Sequence, residues 1–304
     1  MSKFSRFKFI VPFFLIGILF IGISGRYLST NPFKNHLSVH LIDVGQGDSL
    51  FIRTPSGTGL LIDAGDASGG DLVAAYLKRQ GIRKIPLVVA THPHADHIGG
   101  METVLTQFDV DTVYLPPVVH TSRTFESLLN TVESEGQQLV AVTEPTIILD
   151  EENVVVRILT TGHDFGDHLN NWSLWVHVTH GQQSFLFTGD AEQEAELLAV
   201  ETFPAEWLRS TVLKAGHHGS NTSSTQALLE MVSPEVVLIS CGRNNAYGHP
   251  HKDVISRLEA LDVWIYRTDL QGHVTLYSDG TTLRSYQAPA NALRDLPATK
   301  PATQ

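Results

Sequence analysis

One cysteine, Cys241, stands in a chain of 304 residues. A lone thiol excludes an internal disulfide and a thiolate-rich zinc knuckle, so the fold has to be held by its apolar core. Basic side chains are scarce as well, 21 Lys and Arg against 32 Asp and Glu, for a formal charge of −11. Four of them, Lys3, Arg6, Lys8 and Arg26, lie in the acid-free first 26 positions, which leaves 17 against 32 for the remainder. That balance argues against a broad basic face of the kind that coats duplex DNA; attraction for phosphate would have to come from bound cations and a local patch. No repeat with a period of about 20–50 residues is evident, and no long Pro- or Ser-rich linker divides the middle. With 42% hydrophobic residues the chain reads as one large domain with a sizeable core. Long apolar runs are also rare. The longest, Phe9–Ile23, has 15 residues, follows the basic start and ends in Ser24-Gly25-Arg26. It suits a signal peptide and falls short of the roughly 17–25 residues of a comfortable membrane span. Residues 1–26 are thus expected to be a signal peptide or an uncleaved membrane anchor, with the rest of the chain exported to the outer face of the membrane, the periplasm or the exterior.

What the sequence has is histidine in a telling place. Thr91-His92-Pro93-His94-Ala95-Asp96-His97-Ile98-Gly99-Gly100 puts three imidazoles and a carboxylate into six residues, directly after the apolar strand segment Pro86–Ala90. A helix is expected to begin near His97. At a strand-to-helix turn, His92 and His94 can aim at one ion while Asp96 and His97 turn toward a second. Two cations about 3.5–4 Å apart are what a two-metal hydrolase needs.

Further segments deliver metal-capable side chains at strand ends. Ser184–Thr188 is a buried strand that carries Asp190 at its tip, where a carboxylate bridging two ions would sit; Asp190 also suits the N-cap of a helix from Ala191. Leu213–Ala215 leads to His217-His218-Gly219-Ser220, of which one histidine binds metal or holds the scissile group while the other only hydrogen-bonds. His249, set between Gly248 and Pro250, is the preferred second-site ligand. Asp63, after Leu60-Leu61-Ile62, is placed to orient a ligand imidazole, or else is a simple turn residue. Gly45-Gln46-Gly47-Asp48-Ser49 is no phosphate loop, since no Walker lysine follows and a strand comes next, and no nucleotide cofactor is expected. Ser49 and Ser220 carry no sign of a nucleophilic triad. Cys241 reads as a small buried thiol.

The order of elements begins with a meander, Leu37–Val44, Ser49–Thr54 and Gly59–Ile62. Strands then alternate with helices: a helix over 70–80, the strand at 86–90, the helix after His97, strands over 110–115 and 147–159 around a helix at 123–135. A hairpin over 172–179 and 184–188 follows, then strands at 211–215, 236–240, 263–267 and 273–277 with helices from 191, 224 and 253. Two sheets faced by helices, an α+β αββα sandwich over residues 36–287, fit this order better than one doubly wound sheet. Residues 288–304, rich in Ala, Pro and Thr, are expected to be a disordered tail.

Taken together, Asp43–Ser49, Leu61–Gly65, His92–Gly100, Asn170-Asn171-Trp172-Ser173-Leu174, Thr188-Gly189-Asp190, His217–Ser220 and Tyr247–Pro250 resemble the metallo-β-lactamase superfamily. Within it they are similar to the C-terminal hydrolase domain of ComEC-type competence proteins. The resemblance covers roughly residues 36–280. It implies the αββα fold, His92 and His94 on one ion, Asp96 and His97 on the other, and Asp190 bridging. Most members give the first ion a third histidine; here that region offers His168-Leu169-Asn170-Asn171, so His168 and an Asn170 amide are both candidates. Zinc is the default metal for a His-rich site, with manganese favoured by an oxygen-richer one. ComEC-type proteins also carry a long multi-span membrane portion, whereas this sequence has at most one candidate span, so it forms no DNA channel by itself. The activity implied is metal-dependent hydrolysis of a phosphodiester, DNA being the substrate by analogy, with Asp96, His217 and His218 as catalytic residues and Lys214 or Tyr247 as outside candidates for steadying the departing oxygen. The alternatives are a lactone, β-lactam or small phosphate ester as substrate, or a non-catalytic DNA-uptake accessory protein.

Overall fold

The structure, a computed structural model, describes residues 33, 35–287 and 292–295. The meander is β1 (Leu37–Leu41), β2 (Leu50–Arg53) and β3 (Gly59–Ile62), all antiparallel. Helix α1 (Gly69–Arg79) then crosses over to β4 (Leu87–Val89), which lies parallel to β3. Two short helices follow, α2 (Ala95–Ile98) and α3 (Met101–Gln107), before the parallel strand β5 (Thr112–Leu115). Helix α4 (Arg123–Ser134) starts where Ser122 Oγ accepts the Phe125 N–H at 3.2 Å, an N-cap that satisfies one orphan donor. Its buried residues Phe125, Leu128 and Val132 recur at helical spacing. Strand β6 (Gln138–Ala141) pairs parallel with β5.

The second sheet opens with the hairpin β7 (Thr146–Glu151) and β8 (Val154–Leu159) and continues antiparallel through β9 (Trp175–His180) and β10 (Gln183–Phe187). Helices α5 (Gln193–Thr202) and α6 (Ala205–Leu208) lead to β11 (Val212–Lys214), α7 (Gln226–Val232) to β12 (Val236–Ile239), and α8 (Lys252–Ala260) to β13 (Trp264–Arg267). Strands β10 to β13 are parallel neighbours. After α9 (Thr268–Gln271), β14 (Val274–Ser278) returns to pair with β1, and β15 (Leu283–Gln287) and β16 (Ala292–Asp295) extend that edge.

Period-two alternation assigns each face. Leu60 and Ile62 of β3 join Phe185 and Phe187 of β10 and Val236 and Leu238 of β12 in one cluster between the sheets. Leu61 packs instead with Val73 of α1, Val104 of α3 and Leu128 of α4. On the other side Leu186, Leu213 and Val237 pack with Ala195, Leu228 and Val254 of α5, α7 and α8. The molecule is the expected helix, sheet, sheet, helix stack.

Three details differ from expectation. The 147–159 stretch is a hairpin turning at Asn153, which takes a left-handed φ of 64°. Strands β6 and β15 were not anticipated. Within the expected tail, Ala292–Asp295 is a paired strand, while 288–291 and 296–304 lie outside the described residues. The proposed signal or anchor over 1–26 also lies outside them. No helix among the described residues is long and apolar enough to cross a membrane.

Candidate metal centre

Five of the marked segments leave the C-terminal end of a parallel strand: Asp63 follows β3, the His92–His97 run follows β4, Asp190 follows β10, His217 and His218 follow β11, and His249 lies on the loop after β12, while His168 and Asn170 lie on the loop between antiparallel β8 and β9. The ends of those strands in the two sheets meet at one edge of the sandwich, where crevices outside carboxyl strand ends collect ligands.

His92, His97, His217 and His218 are each held through Nδ1, which turns Nε2 toward the pocket. His97 Nδ1 donates to Asp63 Oδ2 at 2.7 Å. The same carboxylate accepts from the Thr91 N–H at 2.9 Å and the Thr91 hydroxyl at 2.7 Å. With its proton committed to Asp63, the Thr91 oxygen accepts from His92 Nδ1 at 3.1 Å. His218 Nδ1 donates to the Ser240 carbonyl at 3.1 Å, with Asp48 Oδ1 at 3.3 Å. His217 Nδ1 donates to Glu192 Oε1 at 3.0 Å. With Nδ1 held by a hydroxyl, a carboxylate or a carbonyl, the Nε2 of His92, His97 and His218 is the nitrogen turned toward the pocket, the one a metal ligand would present. The residue expected to orient an imidazole, Asp63, does so.

Four atoms converge at the second position. Asp190 Oδ2 lies 3.1 Å from His97 Nε2 and 3.2 Å from His218 Nε2, and His218 Nε2 lies 3.4 Å from Asp96 Oδ2. Despite these separations, His97 Nε2 and His218 Nε2 are buried without a hydrogen bond of acceptable angle. They point at a common centre rather than at each other. Donors about 2.0 Å from a tetrahedral ion would stand about 3.3 Å apart, so this set fits a divalent cation. At the first position His92 Nε2 and His94 Nδ1 approach to 2.9 Å, which takes a shared proton or a shared cation.

Buried charge gathers at the same place. Asp48, Asp63 and Asp190 are fully buried and Asp96 partly so, facing Lys214 and the imidazoles of His97 and His218. Burial works against ionising Asp190, but His218 and His97 outweigh it and hold the carboxyl well below its usual range. Burial likewise opposes a charged His218, and Asp190 together with Asp48 more than reverses this. Buried carboxylates are costly unless cations meet them, and here Lys214 and the two imidazoles do so.

The two candidates for the third ligand separate clearly. His168 is exposed and donates only its backbone N–H, to the Phe165 carbonyl, so it does not reach the site. Asn170 lines the same cleft of about 310 Å³ as His94, Asp96, Asp190, His217 and His218. His249 lines the cleft too, yet it is not among the four converging groups; its ring centre lies 6.2 Å from that of His218. His218, left open between binding and hydrogen-bonding, occupies the place expected for His249. Lys214 cannot steady a departing oxygen: it is buried beneath the site, paired with Asp48 and donating to the Gly189 carbonyl at 2.8 Å. Tyr247 stands at the mouth, 66% exposed and stacked on His249.

Residues 42–243 match the family described as the metallo-beta-lactamase superfamily. The chain belongs to that superfamily. The fold therefore implies divalent-metal binding, and the converging groups are the candidate ligands. Among curated relatives, this superfamily member is 30% identical over 253 residues to ComE operon protein 3 of Bacillus subtilis (strain 168), covering 78% of this chain and 32% of that protein. It is 30% identical over 240 residues to competence protein ComA of Neisseria gonorrhoeae, covering 79% of this chain and 32% of that one. The chain thus spans about a third of the length of these relatives. A solved structure, the diiron β-hydroxylase CmlA from Streptomyces venezuelae, aligns over 80% of this chain and 54% of its own with a TM-score of 0.51 at 15% identity, a likeness of fold alone.

Two contributors escaped the sequence reading. Asp48 lies in a glycine-rich loop without phosphate-loop features, yet its side chain holds Lys214 and faces His218. Glu192 is the residue just before α5 and stands in no motif. Its side-chain partners come from two other loops, Asn170 on one and His217 and Thr222 on the other, which no local pattern reveals.

Proposed function

We propose that this protein is an exported, binuclear metal-dependent hydrolase that cleaves phosphodiesters, with DNA as the substrate. The convergence of Asp96, His97, Asp190 and His218 on one point carries this reading, and the competence-named relatives favour DNA. Two divalent ions bound there would lower the pKa of a water toward about 7 and offset charge on the phosphoryl oxygens. The chain's own groups do the rest. Asp190, buried beside His97 and His218, would be the carboxylate shared by the two positions. His217 Nε2, 3.9 Å from Asp190 Oδ2 and steered by Glu192, is placed to hand a proton to the departing oxygen. Tyr247 and His249 form an aromatic rim against which a base can stack.

Metal analysis of purified protein, combined with release of acid-soluble nucleotides from DNA under added Mn²⁺ or Zn²⁺, tests the reading. Wild type should carry two ions per chain, cleave DNA, and be found in the exported fraction; Asp96→Ala should lose one ion and at least about 100-fold of the activity. Two bound ions without cleavage of DNA or a chromogenic phosphodiester would overturn the substrate, and a panel of lactones and cephalosporins would show which ester or amide replaces it. Well under one ion per chain would leave a binding protein.

A further inference from the structure

Glu192 lies between the last residue of the metal-facing turn and the first residue of α5, with extended backbone (φ −101°, ψ 179°). Its Oε1 accepts from Asn170 Nδ2 at 3.2 Å, His217 Nδ1 at 3.0 Å and Thr222 Oγ1 at 3.1 Å. Its own N–H donates to Asn171 Oδ1 at 3.0 Å, which ties the carboxylate to the turn that carries Asn170. Asn170 Oδ1 is buried without a hydrogen-bond partner, and the carboxamide faces His94.

A carboxamide has a donating end and an accepting end of nearly equal size, so its neighbours decide which way it turns. A carboxylate can only accept. Facing Glu192, Asn170 must turn its NH₂ outward to that oxygen and its Oδ1 inward, next to the imidazoles that approach each other at the first position. Reversal would set two oxygens against each other and direct an N–H at a cation.

We propose that Glu192 is a positioning residue of the metal centre: by locking the Asn170 carboxamide, it presents Oδ1 as a donor to the first ion, beside His92, His94 and Asp190. This rests on the metal-centre reading and on nothing about the substrate. The resulting donor set mixes two imidazoles with two oxygens, which suits a harder ion such as Mn²⁺ better than an all-imidazole triad would.

The test compares Mn²⁺ binding, by calorimetry and by electron paramagnetic resonance, in wild type, Glu192→Ala, Asn170→Asp and the double variant. Wild type should bind two Mn²⁺. Glu192→Ala should weaken one of the two by about 10–100-fold and leave the other unchanged. An aspartate at position 170 has two equivalent oxygens and no wrong orientation, so in that background Glu192→Ala should cost less than about 3-fold. Unaltered binding in Glu192→Ala, or a loss undiminished in the Asn170→Asp background, would overturn the proposal. If the alanine variant does not fold, Glu192→Asp, whose shorter arm withdraws the oxygen but keeps the charge, is read in the same way: weaker binding supports the role and unchanged binding overturns it. Failure of the wild type to bind Mn²⁺ and every other divalent ion would instead remove the metal centre itself.

Discussion

At the scale of single residues, the consecutive pair His217 and His218 decides the shape of the site. Both adopt left-handed backbone, φ 46° and 54°, a conformation costing about 1–2 kcal/mol per residue outside glycine. That conformation sends His218 inward to Asp190 and Asp96 and leaves His217 on the cleft wall with Glu192. A strain of this size is tolerated where the surroundings over-determine it. His218, inside the converging group, and His249, outside it, should therefore behave differently. His218→Ala is expected to weaken one ion at least 10-fold, while His249→Ala, whose ring lies beyond the cluster, should keep both ions within about 3-fold of wild type. Metal titration with ions counted per chain distinguishes them. Equal losses would mean that His249 swings in as a ligand. The chemistry of position 249 was legible in the sequence, because Gly and Pro around a histidine after a strand mark a rigid loop. Which imidazole reaches the ion was not, since a separation of about 6 Å between ring centres lies below anything that spacing encodes.

Among the elements, the loop between β1 and β2 supports the centre from behind. Gly47 has φ 128°, and a Cβ there would lie 2.2 Å from the Asp96 carbonyl oxygen. The neighbouring Asp48 N–H donates to that same oxygen at 3.2 Å, and Ser240 Oγ donates to the Gly47 carbonyl at 2.6 Å. The loop thus stitches the ligand turn after β4 to the end of β12. Gly47→Ala should cost about 2–3 kcal/mol in chemical denaturation, from backbone strain and displacement of Asp96, and should weaken the second ion as well. A variant as stable as wild type would show that the two loops are not rigidly joined. Helices and buried strands were readable because their apolar residues repeat with period 3.6 or 2, as Phe125, Leu128 and Val132 do in α4. Strand β6 was not, because Gln138, Leu139 and Ala141 are exposed on the last position of the sheet and present no buried stripe. The hairpin turn at Asn153 was masked by the continuous β-branched run that follows it.

For the whole molecule, stability should fall in acid for a reason away from the metals. His40 on β1 is buried, with Nδ1 at 2.8 Å from the Tyr76 hydroxyl and Nε2 at 3.0 Å from Ser38 Oγ. Burial, with Arg53 and His273 adding to it, pushes its pKa down to about 3. Burial also lowers His177 to about 4. An unfolded histidine titrates near 6.5. Between these values the unfolded chain holds a proton that the folded chain lacks, so stability is fully present above about pH 6.5 and is lost as pH falls toward 3. Each such group contributes a slope of at most about 1.4 kcal/mol per pH unit. Denaturation of wild type and His40→Gln from pH 7 to 4 should show a shallower decline in the variant. Parallel curves would mean that His40 is already protonated in the fold.

The sequence by itself determined the layered architecture and the chemical types at the strand ends, because periodicity and the placing of His and Asp after apolar runs are local and survive without coordinates. It also offered Asp63 as a carboxylate placed to orient an imidazole, and the fold supplied the partner, His97. Only the tertiary structure decided that His218 rather than His249 joins the second position, that Asn170 rather than His168 faces the first, and that Glu192 and Asp48 stand behind them. Those choices depend on how the ends of two sheets, far apart in the chain, meet at one edge, and on backbone angles that set a side chain's direction without leaving any mark on its neighbours in sequence.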